Sequence, residues 1–226
     1  MTRDGSDSRE HSQEGSPCEV TLQDVMDEDK LVVLNKTDQL WELHTILKDR
    51  TTQHPDYVFY ADRLMRLVVE EGLNRLPITE KRVVTPTMCP YKGIAFARGN
   101  CGVAVCPGGD AMEIALRQCC RSIRLCKILL DDIEHKVIYT RFTKDLAHRR
   151  CLVLYPTITN GMFTKTALDS LLKKGVLEEN IYLVTLFATP RGVIFLRRRY
   201  PKMCIITSEI TEHIVKNFAK TYFGTS

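Results

Sequence analysis

The stretch Gly102-Val-Ala-Val-Cys-Pro-Gly-Gly-Asp110 decides the fold class. Residues 102–106 form a continuous apolar run of the length expected for a strand buried on both faces. Pro107-Gly-Gly109 breaks the run. Asp110 can cap a helix reaching to Ser122, with its carboxylate at the positive helix start. A buried strand, a tight turn and a helix make half of a parallel crossover unit.

The same rhythm recurs toward the carboxyl terminus. Cys126-Lys-Ile-Leu-Leu130 is a second apolar run, and Lys136 to Phe142 alternates like an edge strand. Cys151-Leu-Val-Leu-Tyr155 is a third run, closed by Pro156 and a Thr/Asn/Gly turn. A helix is expected from about Lys165 to Lys174, a strand from Ile181 to Phe187, and a helix from Pro190 toward Arg199 with proline in its first turn. Met203-Cys-Ile-Ile-Thr207 reads as the last buried strand. Upstream, Tyr57 to Leu76 has helical periodicity. Arg82-Val-Val-Thr-Pro-Thr-Met-Cys-Pro-Tyr-Lys-Gly-Ile-Ala-Phe-Ala97 reads as two strands around a Pro/Gly turn, a hairpin arm. Buried strands alternating with helices argue for an α/β fold with a mostly parallel sheet. In such sheets ligands bind at the carboxyl ends of strands.

The 226 residues, 44% hydrophobic and 27% charged, suit one sizeable core and exclude collagen-like, fully disordered and disulfide-scaffold classes. No apolar run approaches a bilayer span, and Met1 to Ser12 is too polar for a secretory signal. The nine cysteines form no CxxC pair and no zinc-ligand spacing, so reduced, mostly buried thiols in a cytosolic protein are expected. Charge is uneven. Residues 1–29 hold nine acids against Arg3 and Arg9, a charge of −7 that leaves +11 on the remainder. This Ser/Gly/Asp/Glu-rich segment reads as a disordered acidic tail, and residues 30–226 as one globular domain.

Among the strand ends, Tyr155-Pro-Thr-Ile-Thr-Asn-Gly161 is the best phosphate-binding candidate. Thr157, Thr159 and Asn160 supply polar side chains, and Gly161 lets backbone N–H groups approach an anion. An ordinary strand-to-helix turn capped by Thr or Asn fits the same pattern. The Gly turn at 107–110 has the same two readings. Arg117, Arg121 and Arg124 could line an anion site or a solvated face, and Arg197-Arg-Arg199 reads as a basic helix terminus. Neither GxGxxG nor GxxxxGK[ST] occurs, the six histidines form no relay, and no catalytic residue stands out.

Three segments carry a family resemblance: Ala61-Asp-Arg-Leu-Met-Arg-Leu-Val-Val-Glu-Glu-Gly72, Asn100-Cys-Gly-Val-Ala-Val105 with Gly109-Asp-Ala-Met-Glu-Ile-Ala-Leu-Arg-Gln-Cys-Cys-Arg-Ser-Ile-Arg124, and Tyr222-Phe-Gly-Thr225. From about Asp38 to the end the chain resembles the uracil phosphoribosyltransferase family, closest to its animal homologues. The resemblance implies a type I phosphoribosyltransferase fold, a parallel sheet flanked by helices with a small hood and a β-hairpin arm used in dimerisation. It implies pyrimidine salvage, in which uracil and 5-phosphoribosyl diphosphate give UMP and diphosphate with Mg²⁺, and GTP activates some members. It further implies a nucleotide or phosphoribosyl ligand and a homodimer or tetramer in the cytoplasm, with the nucleus as a second location. No membrane contact, nucleic-acid partner or protein-held metal is expected.

Position by position, the resemblance also implies an altered active site. The family's ribose-phosphate turn reads roughly Asp-Pro-Met-Leu-Ala-Thr-Gly-Gly, and Tyr155-Pro156-Thr157-Ile158-Thr159-Asn160-Gly161-Met162 replaces it. Thr157, Ile158, Thr159, Asn160 and Gly161 are thus a vestigial phosphoribosyl diphosphate site, with Met162 crowding the backbone approach. Two diphosphate-binding arginines align with Pro107 and Asp132. The family's Gly-Asp-Ala-Gly-Asp uracil loop is missing. Phe218, Ala219 and Lys220 stand in a shortened segment, leaving Tyr222, Phe223 and Gly224 as a vestigial uracil site. His54, Arg63, Arg98, Gly99, Asn100 and Arg124 match GTP-contacting positions, with Arg98 in place of Lys. The expectation is a transferase homologue with little or no activity. The alternative is a non-catalytic GTP-binding or oligomeric interaction protein.

Overall fold

The computed structural model describes residues 27, 29–131, 133–215 and 217–225. The expected acidic tail lies outside the described residues except for Asp27 and Asp29, and Asp132 lies outside them too. The strands are β1 (Leu31–Val33), β2 (Ile78–Val84), β3 (Pro90–Phe96), β4 (Asn100–Cys106), β5 (Arg124–Leu130), β6 (Val137–Arg141), β7 (Arg150–Leu154), β8 (Thr157–Ile158), β9 (Ile181–Ala188) and β10 (Cys204–Ile210). The helices are α1 (Asp38–Lys48), α2 (His54–Asn74), α3 (Gly109–Cys119), α4 (Met162–Lys173), α5 (Pro190–Arg199) and α6 (Phe218–Phe223).

The main sheet runs β1-β10-β9-β7-β4-β5-β6, with β8 also pairing to β9. All its pairings are parallel except β5–β6, where the edge strand returns antiparallel past an irregularity at Leu129/Leu130. The apolar runs of the sequence are these central strands. Both of their faces are covered, so every residue of such a strand meets a core. Leu152, Leu154, Val184 and Ile206 face Leu43 of α1, Met65 of α2, Met112 of α3 and Phe218 of α6. Their neighbours Val153, Leu183 and Ile205 face Leu168 of α4 and Leu196 of α5. At Gly102 the close approach of α3 leaves no room for a side chain, since a Cβ would sit 2.4 Å from Leu116 Cδ2. No described helix is long and apolar enough to cross a membrane.

Several element ends differ from the expectation. Helix α2 starts at His54, three residues early, because Pro55 sits in its first turn where no N–H is needed. The hairpin starts at Ile78, since its register carries pairing back to Ile78↔Phe96. Helix α3 starts at Gly109, ahead of the expected cap, and stops at Cys119. Gly108 at φ 110° turns the chain into it, and Asp110 gives its carboxylate to Lys127 at 3.0 Å. Helix α4 starts at Met162, because Asn160 accepts the Met162 N–H with its side chain. Helix α5 starts at Pro190, as expected, under Thr189, which accepts the Gly192 N–H at 3.0 Å.

Candidate functional site

The carboxyl ends of β4, β7 and β9 converge where the parallel-sheet rule places a ligand. After β4 comes a cis Cys106–Pro107 bond and then Gly108. After β7 come Tyr155, Pro156 and the two residues of β8. Residues 214, 215 and 217–220 lie across from them. Together they enclose a cleft of about 410 Å³ lined by Pro107, Gly108, Tyr155, Pro156, Thr157, Thr159, Ile214, Val215, Asn217, Phe218, Ala219 and Lys220. Among the described residues Lys220 is the one charged side chain in this lining, and the rest is apolar apart from two threonines, Asn217 and the Tyr155 hydroxyl.

The turn at 155–161 is held from below by its neighbours. The Pro156 carbonyl accepts the Leu186 and Phe187 N–H groups and the Thr185 hydroxyl. Thr189 donates its hydroxyl to the Thr159 carbonyl and its backbone N–H to the Ile158 carbonyl. Thr157 pairs with Phe187 and Ile158 with Ala188, so two of the five predicted phosphate-turn residues are strand. Thr157 and Thr159 reach the cleft, whereas Ile158 is buried in the sheet core. Asn160 caps the following helix, and Gly161, at φ 76°, is the αL residue before it. Met162 opens α4 with its side chain partly exposed.

Tyr155 stacks on Phe163 with ring centroids 5.0 Å apart, and Phe163 meets the edge of His135 at 5.6 Å. An aromatic ring thus stands where the resemblance placed a ribose-binding carboxylate. Beneath Pro107, burial and then Asp110 push the Cys106 thiol up to about 12. Asp110 and Glu113 share Lys127, at 3.0 and 2.9 Å, and Glu113 also meets Arg117 at 3.0 Å, so both carboxylates are already ion-paired.

The predicted uracil residues lie away from the cleft. Tyr222 donates its hydroxyl to Asp62 at 2.7 Å, and burial with this bond raises its pKa. The Tyr222 carbonyl lies 3.2 Å from His54 Nε2, Gly224 turns at φ 66° against the same imidazole, and Phe223 is largely exposed. These contacts clip the chain end to α2. Residues 218–220 line the cleft in their place.

The predicted GTP residues divide. Arg98, Gly99, Asn100 and Arg124 gather at the amino ends of β4 and β5, around a second cleft of about 360 Å³ with apolar walls from Leu73, Leu76, Phe96 and Ile123. Arg149, which the sequence reading did not single out, completes it; its place beside a strand start was the available signal. Arg124 and Arg149 both meet Asp145, and Arg149 holds that carboxyl well below the usual range. The Asn100 carboxamide oxygen is buried without a partner among the described residues. His54 and Arg63 lie elsewhere on α2, the latter 5.7 Å from the Tyr60 ring. Arg117 pairs with Glu113 on its own helix, so Arg117 and Arg124 do not share an anion site.

Among the described residues no cluster of three or more His, Cys, Asp or Glu could hold a metal ion. Among the described residues the carboxyl-end cleft has no carboxylate in its lining, so these side chains do not fit a protein-held Mg²⁺.

The family model for uracil phosphoribosyltransferase matches residues 33–221. A protein of Danio rerio described as a uracil phosphoribosyltransferase homologue is 44% identical over 200 residues, covering 87% of this chain and 77% of its own. The Homo sapiens protein of the same description is 43% identical, over 87% of this chain and 65% of its own. A uracil phosphoribosyltransferase of Dictyostelium discoideum is 38% identical, over 87% of this chain and 97% of its own. Among solved structures, the AQ2163 protein from Aquifex aeolicus superposes with a TM-score of 0.73 at 15% identity, covering 87% of this chain and 99% of that one, a likeness of fold.

Proposed function

Because the chain belongs to the uracil phosphoribosyltransferase family, we propose that it is a pyrimidine-salvage homologue whose catalytic cleft has lost its hold on phosphoribosyl diphosphate. One observation carries this reading: among the described residues, Lys220 is the one cation lining the carboxyl-end cleft. A ribose bearing a 5′-phosphate and a 1-diphosphate brings several negative charges there. Pro107 supplies neither charge nor N–H, and the Tyr155 ring replaces an acceptor for the ribose hydroxyls. Each missing charge-assisted contact removes about 1.5–3 kcal/mol, so two or three take a micromolar ligand into the millimolar range or beyond. Leaving-group stabilisation during diphosphate departure falls for the same reason. Calorimetry with phosphoribosyl diphosphate and Mg²⁺ should show no binding heat at submillimolar ligand, and uracil should give no UMP. Micromolar affinity or ordinary turnover overturns the reading.

A second reading attaches to the amino-end cleft, where Arg98, Arg124 and Arg149 surround apolar walls and an unpartnered Asn100 oxygen. This lining suits a purine nucleotide, its base against Phe96 and Leu76 and its phosphates toward the guanidinium groups. GTP should raise the melting temperature, and Arg98→Ala/Arg124→Ala should abolish the rise. No shift at millimolar GTP removes this reading. The molecule assembles as a homodimer or tetramer through the β2–β3 arm in the same proposal.

A further inference from the structure

His44 is buried on the inner face of α1, 4% exposed, with its ring 5.4 Å from that of Phe187 on β9. Its Nε2 lies 3.0 Å from the Ser208 hydroxyl oxygen on β10, and that hydroxyl donates to the Leu186 carbonyl at 2.6 Å. A carbonyl only accepts, so the Ser208 proton goes to Leu186 and Ser208 accepts from His44. The neutral imidazole therefore carries its proton on Nε2. Nδ1 is left with a lone pair, and it faces the Glu209 carboxylate at 3.9 Å. Two acceptors cannot bond each other. A proton added to Nδ1 turns the same pair into an ion pair.

Glu209 also ties α1 to β10. The Lys48 ammonium, one turn beyond His44 on the same helix face, donates to the Glu209 Oε2 that faces Nδ1. Lys36, ahead of α1, adds a second cation, whereas Leu186 and Phe187 of β9 bring no charge. Burial pushes the imidazole below its ordinary 6.5, Glu209 pulls it up, and Lys48 and then Lys36 push it down. Past Lys48 and Glu209 the chain forms two walls of an open cleft of about 630 Å³, residues 49, 50 and 52 on one side and 212–215 on the other. Ile214 and Val215 line the carboxyl-end cleft as well, so Glu209 leads into a wall common to both.

We infer that His44 is a proton-operated latch: neutral, it leaves Glu209 to Lys48 and the two walls stay tied, and protonated at Nδ1 it draws Glu209 to itself and frees residues 49–52 and 211–215. The geometry sets the direction. An Nδ1–H bond needs the 3.9 Å separation to close to about 3 Å, which turns Oε2 away from the Lys48 ammonium. The new imidazolium and Lys48 then repel each other across the carboxylate they share, at a site where burial leaves little water to screen them.

The test is a histidine titration of the full chain by NMR between about pH 8 and 5, with His44 identified by its contact to the Phe187 ring and by its absence from His44→Gln. Its midpoint should lie below the ordinary value, fall further in Glu209→Gln and rise in Lys48→Met. Amide exchange at 49–52 and 211–215, corrected for the intrinsic effect of pH, should lose protection several-fold across that midpoint. His44→Gln should abolish the loss, and β7 should keep its protection throughout, which separates the latch from acid unfolding. If His44→Gln does not fold, the two midpoint shifts and the exchange of the unaltered chain still decide. A His44 that stays neutral to about pH 5, a midpoint indifferent to both partner variants, or protection that is unchanged, raised or lost equally in β7 overturns the inference.

Discussion

Gly161 shows how one residue type can answer two demands that look alike in a sequence. Its backbone is left-handed at φ 76°, and an added Cβ would lie 2.9 Å from Phe195 Cδ1 and 3.2 Å from Leu196 Cγ. The partner glycine, Gly192, is as constrained, because a Cβ there would lie 2.3 Å from the Thr159 carbonyl oxygen. The α4 start and the α5 start therefore meet through two glycines, and this packing alone requires Gly161. An anion-binding turn would require it equally, which is why the pattern at 155–161 left both readings open. Gly161→Ala combines left-handed strain with overpacking and should destabilise the fold by about 2–4 kcal/mol in urea melts. A loss below about 0.5 kcal/mol would show that the junction yields. Tyr155 is the opposite case. Its ring is readable in the sequence only as a departure from a family pattern, and its stacking on Phe163 depends on where α4 begins.

At the scale of elements, strand interiors were legible because burial on both faces forces continuous apolar runs, as in residues 102–106 and 151–154. Element ends were not, because single side-chain bonds and local backbone turns fix them: the Asn160 side chain starts α4 and the φ of 110° at Gly108 starts α3. The short strand β1 and helix α1 lack a long apolar run, and their place is set by pairing to β10 and packing on α2. The β2–β3 hairpin differs from every other element. It pairs only within itself, and Ile78, Val83, Val84, Tyr91, Ile94 and Phe96 are exposed. An isolated two-stranded hairpin is marginal in water, so the arm calls for a covering surface. For the proposed homodimer or tetramer, Tyr91→Asp/Ile94→Asp should shift sedimentation to the monomer and leave the main sheet's circular dichroism unchanged. An unaltered sedimentation coefficient would place the contact elsewhere.

Across the whole molecule, the positions at the sheet's ends came from topology, and topology was readable from the alternation of strands and helices. What fills the carboxyl-end cleft was less so. Ile214, Val215 and Asn217 line it from a segment without periodicity, brought there by Phe218 packing on Tyr57 at 5.8 Å. The same burial that builds both cores sets a pH limit on the fold. Removal from water raises the thiols of Cys106 and Cys119 to about 12 and that of Cys204 to about 11, from an ordinary 9.0. Glu113 and then Asp110 raise the Lys127 ammonium in the same direction. In each case the folded chain keeps a proton that the unfolded chain releases. The thiols' contribution to stability is therefore whole below about pH 9 and is lost as pH rises toward 11–12, while that of Lys127, whose ordinary value is 10.5, is whole to about that pH and lost above it. Thermal midpoints should hold between about pH 7 and 8.5 and fall progressively above about pH 9, before any main-chain hydrolysis intervenes. Cys204→Ala should flatten part of that fall, since it removes one thiol that must stay protonated in a fully covered strand. A midpoint that stays level to about pH 10.5 would mean that the thiols ionise as freely inside the fold as outside it, and that the cores admit water at those strands.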